Sequence, residues 1–160
     1  QLDAFLAAPK AAARAFLRSA TTRIVYDLDR YVRCGGKEPV YAATLARETH
    51  VNNPPADGVK IQVSLQYSDG FGRSLQSKQL VEPGLAWAVV NGTAVEQATG
   101  DRWLTTGRTV YNNKGQVIKQ YEPFYAEGAA YQPEPILSDH GVTAVRHYDP
   151  LGRVVQTDLP

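Results

Sequence analysis

The side chains best suited to proton transfer or metal ligation in this chain are three histidines, His50, His140 and His147, with the carboxylates of Asp139 and Asp149 beside the last two. Their spacing is too scattered for a recognisable metal motif such as His-x-x-x-His. His140 and His147 could still meet across a hairpin, and with Asp139 or Asp149 they form the best available candidate site; a surface or packing role is the expected outcome. A hydrolase would need a pocket joining His140 or His147 to a carboxylate of shifted pKa. No Gly-x-Ser-x-Gly elbow, phosphate-binding Gly-x-x-x-x-Gly-Lys loop or dinucleotide fingerprint occurs. Cys34 is the only cysteine, so there is no internal disulfide and no thiolate cluster; a partly buried, inert thiol is expected. The residues therefore point to no catalytic set, no cofactor and no metal.

The elements that would carry such residues belong to one ordinary domain. At 160 residues, 43% hydrophobic and 21% charged, the chain is outside the disordered and membrane classes and can bury one real core. Seventeen basic against sixteen acidic residues give no field for a phosphate backbone, so nucleic acid is not an expected partner. No apolar run approaches the roughly 20 residues of a membrane span, so direct membrane insertion is not expected, and no signal peptide is visible. Starting at Gln1 and lacking methionine, the chain reads as an excised segment.

Residues 1–20 read as a helical lead-in, with Leu2, Phe5 and Leu6, then Pro9 at a helix start, then Ala12, Ala13, Phe16 and Leu17 on one face. From Thr21 the hydrophobic period shortens to two, and residues 21–160 read as antiparallel β-structure. A first strand is interrupted by Gly35, Gly36 and Pro39, a second spans 40–51, and Asn52, Asn53, Pro54, Pro55, Asp57 and Gly58 make a loop. Residues 59–67 alternate strictly, Val59, Ile61, Val63, Leu65 and Tyr67 against Lys60, Gln62, Ser64 and Gln66, so one face must be buried. A turn at 68–72 leads to a partner strand at 73–81, and Asn91-Gly92 joins 87–90 to 93–96 in a second hairpin. The runs 103–111 and 116–121 form a third, 122–139 reads as a long irregular connection, and 142–148 with 153–158 forms the last.

Three turns share one grammar: Tyr148-Asp149-Pro150-Leu151-Gly152-Arg153, Tyr111-Asn112-Asn113-Lys114-Gly115-Gln116 and Ser68-Asp69-Gly70-Phe71-Gly72-Arg73. The pattern is Tyr-Asp-x-x-Gly-Arg, repeated about every 40 residues. Asp or Asn opens the turn by bonding nearby backbone amides, Gly can take positive φ, and the aromatic suits a pleated surface. The middle copy carries Asn and Gln, and the first carries Ser68 in place of tyrosine. The structural turn residues are thus Tyr148, Asp149, Gly152, Arg153, Tyr111, Asn112, Gly115, Asp69, Gly72 and Arg73, with the arginine expected to brace neighbouring strands.

This grammar resembles the YD or Rhs repeats of bacterial toxins. The stretch Ala20-Thr21-Thr22-Arg23-Ile24-Val25-Tyr26-Asp27-Leu28-Asp29-Arg30-Tyr31, the stretch 64–73, and the run from Tyr111 through Gln120-Tyr121-Glu122-Pro123-Phe124 are similar to the B component of insecticidal toxin complexes, with related sequence in SpvB-like virulence proteins. The resemblance implies a secreted β-shell that, with a second Rhs component, encloses a cytotoxic C-terminal polypeptide until a channel-forming component delivers it. It also implies that the partners are the rest of the same shell and those two components. The Glu-x-Glu signature of the ADP-ribosyltransferase domain that SpvB-like proteins can carry is absent. The aspartyl protease of such shells lies beyond the region resembled, so Asp139, Asp149 and Asp158 are not assigned to it.

A glycan-binding β-module is the alternative, because nine tyrosines and two tryptophans on a β-surface could stack on sugar rings. An exposed row with Trp87 or Trp103 beside Asn and Asp would favour sugar binding; burial of both would favour the shell. Asn91-Gly92-Thr93 matches a glycosylation acceptor, but Asn-Gly is first a turn signal.

Overall fold

The computed structural model describes residues 2–49, 52, 58–139, 141 and 143–160. Helices α1 (Leu2–Ala7) and α2 (Pro9–Leu17) form the lead-in, with Pro9 at the first turn of α2, where its missing N–H costs nothing. Their apolar stripe, Phe5, Leu6, Ala13 and Leu17, is buried against one face of a sheet. That sheet begins with β1 (Thr22–Asp27), β2 (Val40–Arg47), β3 (Ile61–Ser68) and β4 (Ser74–Leu80) as an antiparallel meander.

Register makes the core. Tyr41 pairs with Tyr67, Ala43 with Leu65 and Leu45 with Val63, so the inward positions of β2 and β3 lie side by side beneath the helices. The strict alternation read in the sequence appears as alternating burial along β3. Each large apolar side chain buried here contributes about 1.5–3 kcal/mol.

The far half of the sheet is built out of chain order. Strands β5 (Gly84–Val90) and β6 (Thr93–Thr99) form the expected Asn91-Gly92 hairpin at the other edge. The gap is filled by β7 (Arg102–Thr105), paired with β4, and β10 (Phe124–Glu127), antiparallel to β7 and parallel to β5 through Ala126 and Trp87. Eight strands thus run in the order β1-β2-β3-β4-β7-β10-β5-β6. Two short hairpins stand apart, β8 (Thr109–Tyr111) with β9 (Val117–Gln120), and β11 (Val145–Tyr148) with β12 (Val154–Asp158).

Several expectations are corrected. The run 103–111 is two strands in different sheets, broken at 106–108. A side chain at Gly107 would collide with the backbone of Tyr121 and Glu122, so the chain bends where another segment passes closely. The connection 122–139 is not irregular throughout; it supplies β10 and the short helix α4 (Pro135–Ser138). Another short helix, α3 (Arg30–Arg33), follows β1. There Arg33 pairs with buried Asp27 at 2.7 and 2.9 Å, and Arg30 reaches Asp3 at 2.9 Å and Glu38, pinning α1 to the β1–β2 connection. The expected strand end at Val51, most of the loop 52–58, and the start of the last hairpin at Val142 lie outside the described residues.

Residues 128–132 cross the buried face of β3 and β4 as a strap. The Tyr67 hydroxyl donates to Ala129 O at 2.7 Å and Lys78 Nζ to Gly128 O at 3.1 Å. Gln76 donates to Gln132 O at 3.3 Å and accepts from Gln132 N at 3.0 Å. Lys78 is fully buried, and desolvation pushes its amine down to about 7, against the smaller opposing influence of Asp101 and Glu134.

Candidate functional site: the stacked repeat turns

The three turns share one geometry built by their side chains. In each, the opening Asp or Asn N–H donates to the carbonyl of the fifth residue, and the glycine N–H returns to the carbonyl of the opener, with distances of 2.9–3.1 Å. The glycines Gly72, Gly115 and Gly152 sit at φ +76°, +77° and +88°. The opener's Oδ1 accepts the amide of Arg73, Gln116 or Arg153, at 2.9 Å in every case. Each hairpin carries a register shift at the same place, immediately before the opener's preceding residue.

The residue after the glycine closes the turn on its own opener. Arg73 Nε meets Asp69 Oδ2 at 2.6 Å, and Arg153 Nε meets Asp149 Oδ2 at 2.7 Å. In the middle copy Asn112 Nδ2 donates to Gln116 Oε1 at 2.7 Å, so the two apparent mismatches, Asn for Asp and Gln for Arg, are one compensated pair. The arginine's main contact is therefore within its own turn; among the described residues Arg73 also bridges outward, lying 5.0 Å from the Tyr111 ring centroid. The Arg153 amide, then its guanidinium, hold the Asp149 carboxyl below its ordinary range.

Successive turns are joined by a second set of bonds. The Tyr111 hydroxyl donates to Ser74 O and the Tyr148 hydroxyl to Val117 O, both at 2.7 Å. Ser74 and Val117 occupy the same repeat position, two residues after the glycine. Gln116 Nε2 also donates to Gly152 O at 3.1 Å, and Lys114 Nζ to Pro150 O at 2.6 Å. Tyrosine is thus the link to the preceding turn. The first copy already lies within the sheet, where its Ser68 pairs with Val40 of β2.

Because the middle turn shows which pairs are compatible, Asp149→Asn is expected to lower the melting temperature by setting two donors against each other. Adding Arg153→Gln should recover most of the loss, since that pair reproduces Asn112–Gln116. Thermal unfolding of the two single variants and the double variant checks this, and equal, additive losses would contradict it.

Among the described residues the candidate proton-transfer groups do not converge. His147 meets Asp158 at 2.7 Å on an exposed surface, and Asp139 is held by Arg108 at 2.6 Å. Asp149 is committed to its turn, while His50 and His140 lie outside the described residues. Among the described residues no three His, Cys, Asp or Glu side chains group as metal ligation requires, and no helix is long and apolar enough to cross a membrane. Cys34 is partly buried. Trp103 is buried and donates to Asp101 at 2.8 Å, and Trp87 is half-buried against Phe124, Leu137 and Ala94.

With hairpins closed by Asp or Asn and glycine, stacked through tyrosine and carried on a mainly antiparallel sheet, the chain is similar to TcB/TcC-type Rhs structures. Solved structures of Tc toxin components agree. The chain is 28% identical to the crystal structure of TcdB2–TccC3, with a TM-score of 0.73 over 87% of this chain and 7% of that one. The same complex without its hypervariable C-terminal region gives 30% identity and a TM-score of 0.65 over 82% and 6%. The Photorhabdus luminescens Tc holotoxin pore carrying a TccC3 mutation gives 28% and 0.64 over 80% and 7%. The chain therefore spans only 6–7% of the length of these structures. No family model and no curated protein matches it.

Proposed function

We propose that this chain is a wall segment of a secreted toxin-complex Rhs shell that encloses a cytotoxic C-terminal effector, and that it is not itself an enzyme. Its partners are the remainder of its own shell, a second Rhs component and a channel-forming component. The observation that carries the reading is the ladder of turns, in which each tyrosine hydroxyl bonds the preceding turn at an equivalent carbonyl. A wall needs this arrangement, because it extends strand by strand while keeping backbone groups paired. The likeness to TcdB2–TccC3 and to a Tc holotoxin pore supports the same assignment. Burial of Trp103 and the packing of Trp87 favour a wall over a sugar-stacking surface.

The purified chain is expected to show no hydrolase, transferase or nucleotide-binding turnover in activity screens, and no specific ligand on a glycan array. Turnover abolished by His147→Ala would overturn the non-enzymatic part. A reproducible glycan ligand lost on replacing Trp87 would favour the lectin reading instead.

A further inference from the structure

Strands β4 and β7 run paired as far as Ser77 and Thr106, where Thr106 N donates to Ser77 O at 2.9 Å and Ser77 N to Thr106 Oγ1 at 2.8 Å. Beyond the bend at Gly107 the chain leaves β4, and β8 pairs with β9 instead. The split between the first turn and β8 is an open groove of about 810 Å³, with Tyr111 reaching across from β8 to Ser74 O. At the ends of the β8–β9 ladder Tyr121 N donates to Arg108 O and Asn112 N to Gln116 O, and Val110 lies opposite Lys119. Antiparallel pairing alternates, so Arg108, Val110 and Asn112 turn their backbone groups to β9, and Thr109 and Tyr111 turn theirs to the opposite edge. Among the described residues no strand pairs with that edge, and no group bonds the backbone of Thr109 or Tyr111 there. The groove is also charged. Arg73, Arg108 and Lys114 line it, and among the described residues no carboxylate does. Arg73 commits its Nε to Asp69 and Arg108 its Nη2 to Asp139, which leaves donors on both guanidiniums, and Lys114 meets only the neutral Pro150 carbonyl. Phe71, 87% exposed, forms the opposite rim, and the Arg73 guanidinium lies between its ring and that of Tyr111, 5.2 and 5.0 Å from their centroids.

We propose that this groove receives an extended acidic segment of a separate partner protein, which adds as a short strand to the β8 edge at Thr109 and Tyr111 while its carboxylates meet Arg73, Arg108 and Lys114. Two features of the groove select this occupant. Free N–H and C=O groups two residues apart match a peptide backbone rather than a phosphate or a sugar, and they are what strand addition to an open edge uses. Three cations with no lining carboxylate then favour acidic side chains on that backbone. The β8 edge is three residues long, so the occupant is three to five residues of extended chain, roughly 10–16 Å. The site stands on the splitting of β8 from β4 and does not depend on the wall reading.

The test titrates the full chain with a capped peptide of alternating glutamate and valine, five residues long, and with its lysine-valine counterpart. Amide and arginine Nε signals are followed by NMR, and the Trp103 indole signal reports that the fold is intact. The glutamate peptide is expected to shift the Thr109 and Tyr111 amides and the Arg73 and Arg108 Nε signals, with an affinity that falls as salt is added. The lysine peptide is expected to shift none of them. Thr109→Pro removes one groove-facing N–H without touching the β8–β9 ladder and should weaken binding about fivefold, as the loss of one hydrogen bond implies. Lys114→Gln should weaken it about threefold and reduce its salt dependence. Should Thr109→Pro disturb β8, a peptide methylated at the backbone nitrogen of its central residue tests the same bonds on the unaltered chain, with the same fivefold loss expected. No shift at millimolar glutamate peptide overturns the site, and equal binding of the lysine peptide overturns its choice of charge. Affinity unchanged by both Thr109→Pro and backbone methylation overturns strand addition. A dimer of the free chain that the peptide disperses, read by light scattering, overturns the choice of a separate partner.

Discussion

Gly152→Val is expected to destabilise the last hairpin by about 2 kcal/mol, because it imposes a β-branched side chain on a backbone at φ +88°. There is a second cost. An added Cβ would lie 2.6 Å from Gln116 Nε2, so the side chain that donates to Gly152 O must withdraw and the link between the second and third turns is lost with it. Asn113→Ala, at an exposed position in the neighbouring turn, should change stability by less than about 0.5 kcal/mol. Gln132, which the sequence places in a long irregular connection, is half-buried: its backbone is held by Gln76 at both N–H and carbonyl, and its side chain donates to Glu134 at 2.8 Å. Equilibrium unfolding and hydrogen exchange of β11 and β12 measure the effect. A structural turn loses folding; sugar binding destroyed at unchanged stability would refute the role assigned to it.

Lys78→Met is expected to flatten the pH dependence of stability. In the unfolded chain the amine keeps its proton up to an ordinary value of 10.5, whereas the folded chain releases it at about 7. Between those values the unfolded state binds the extra proton, so stability rises with pH by about 1.4 kcal/mol per unit. Below about 7 both states are protonated and this contribution stops changing. The native chain should therefore gain roughly 3 kcal/mol more than the variant between about pH 7 and pH 9.5. Tyr41, pushed up to about 12 chiefly by burial, does not titrate inside that window. Urea unfolding at a series of pH values reads the slopes, and parallel slopes would mean that the amine is hydrated rather than buried. The variant also leaves Gly128 O without its donor, so faster exchange in the strap should accompany the change.

What the sequence discloses here is local. Strand β3 was legible because Val63, Leu65 and Tyr67 alternate with Gln62, Ser64 and Gln66, and the turns were legible because Asp or Asn and Gly stand at fixed offsets. The lead-in helices were legible through the spacing of Phe5, Leu6, Ala13 and Leu17. Strand β10 was hidden because Phe124 to Glu127 is only four residues long, between Pro123 and Gly128, and its pairing with β7 and β5 depends on segments distant in sequence. The inward face of β4 was hidden for a different reason. Gln76 and Lys78 read as wet residues, and only the strap of residues 128–132, which supplies acceptors inside the fold, makes their burial tolerable. Within the repeat, Asn112 and Gln116 look like two weakened matches; their compensation is visible only once Asn112 Nδ2 and Gln116 Oε1 are seen in contact.

Containment is tested most directly by protease protection. The proposed assembly, a full shell that includes this chain together with a second Rhs component, is treated with a broad-specificity protease, and survival of the enclosed C-terminal polypeptide is followed over time. The wall reading predicts that the polypeptide persists in the intact assembly and is degraded when Gly152→Val opens the stack. Degradation in the intact assembly at the rate of the free polypeptide would contradict it.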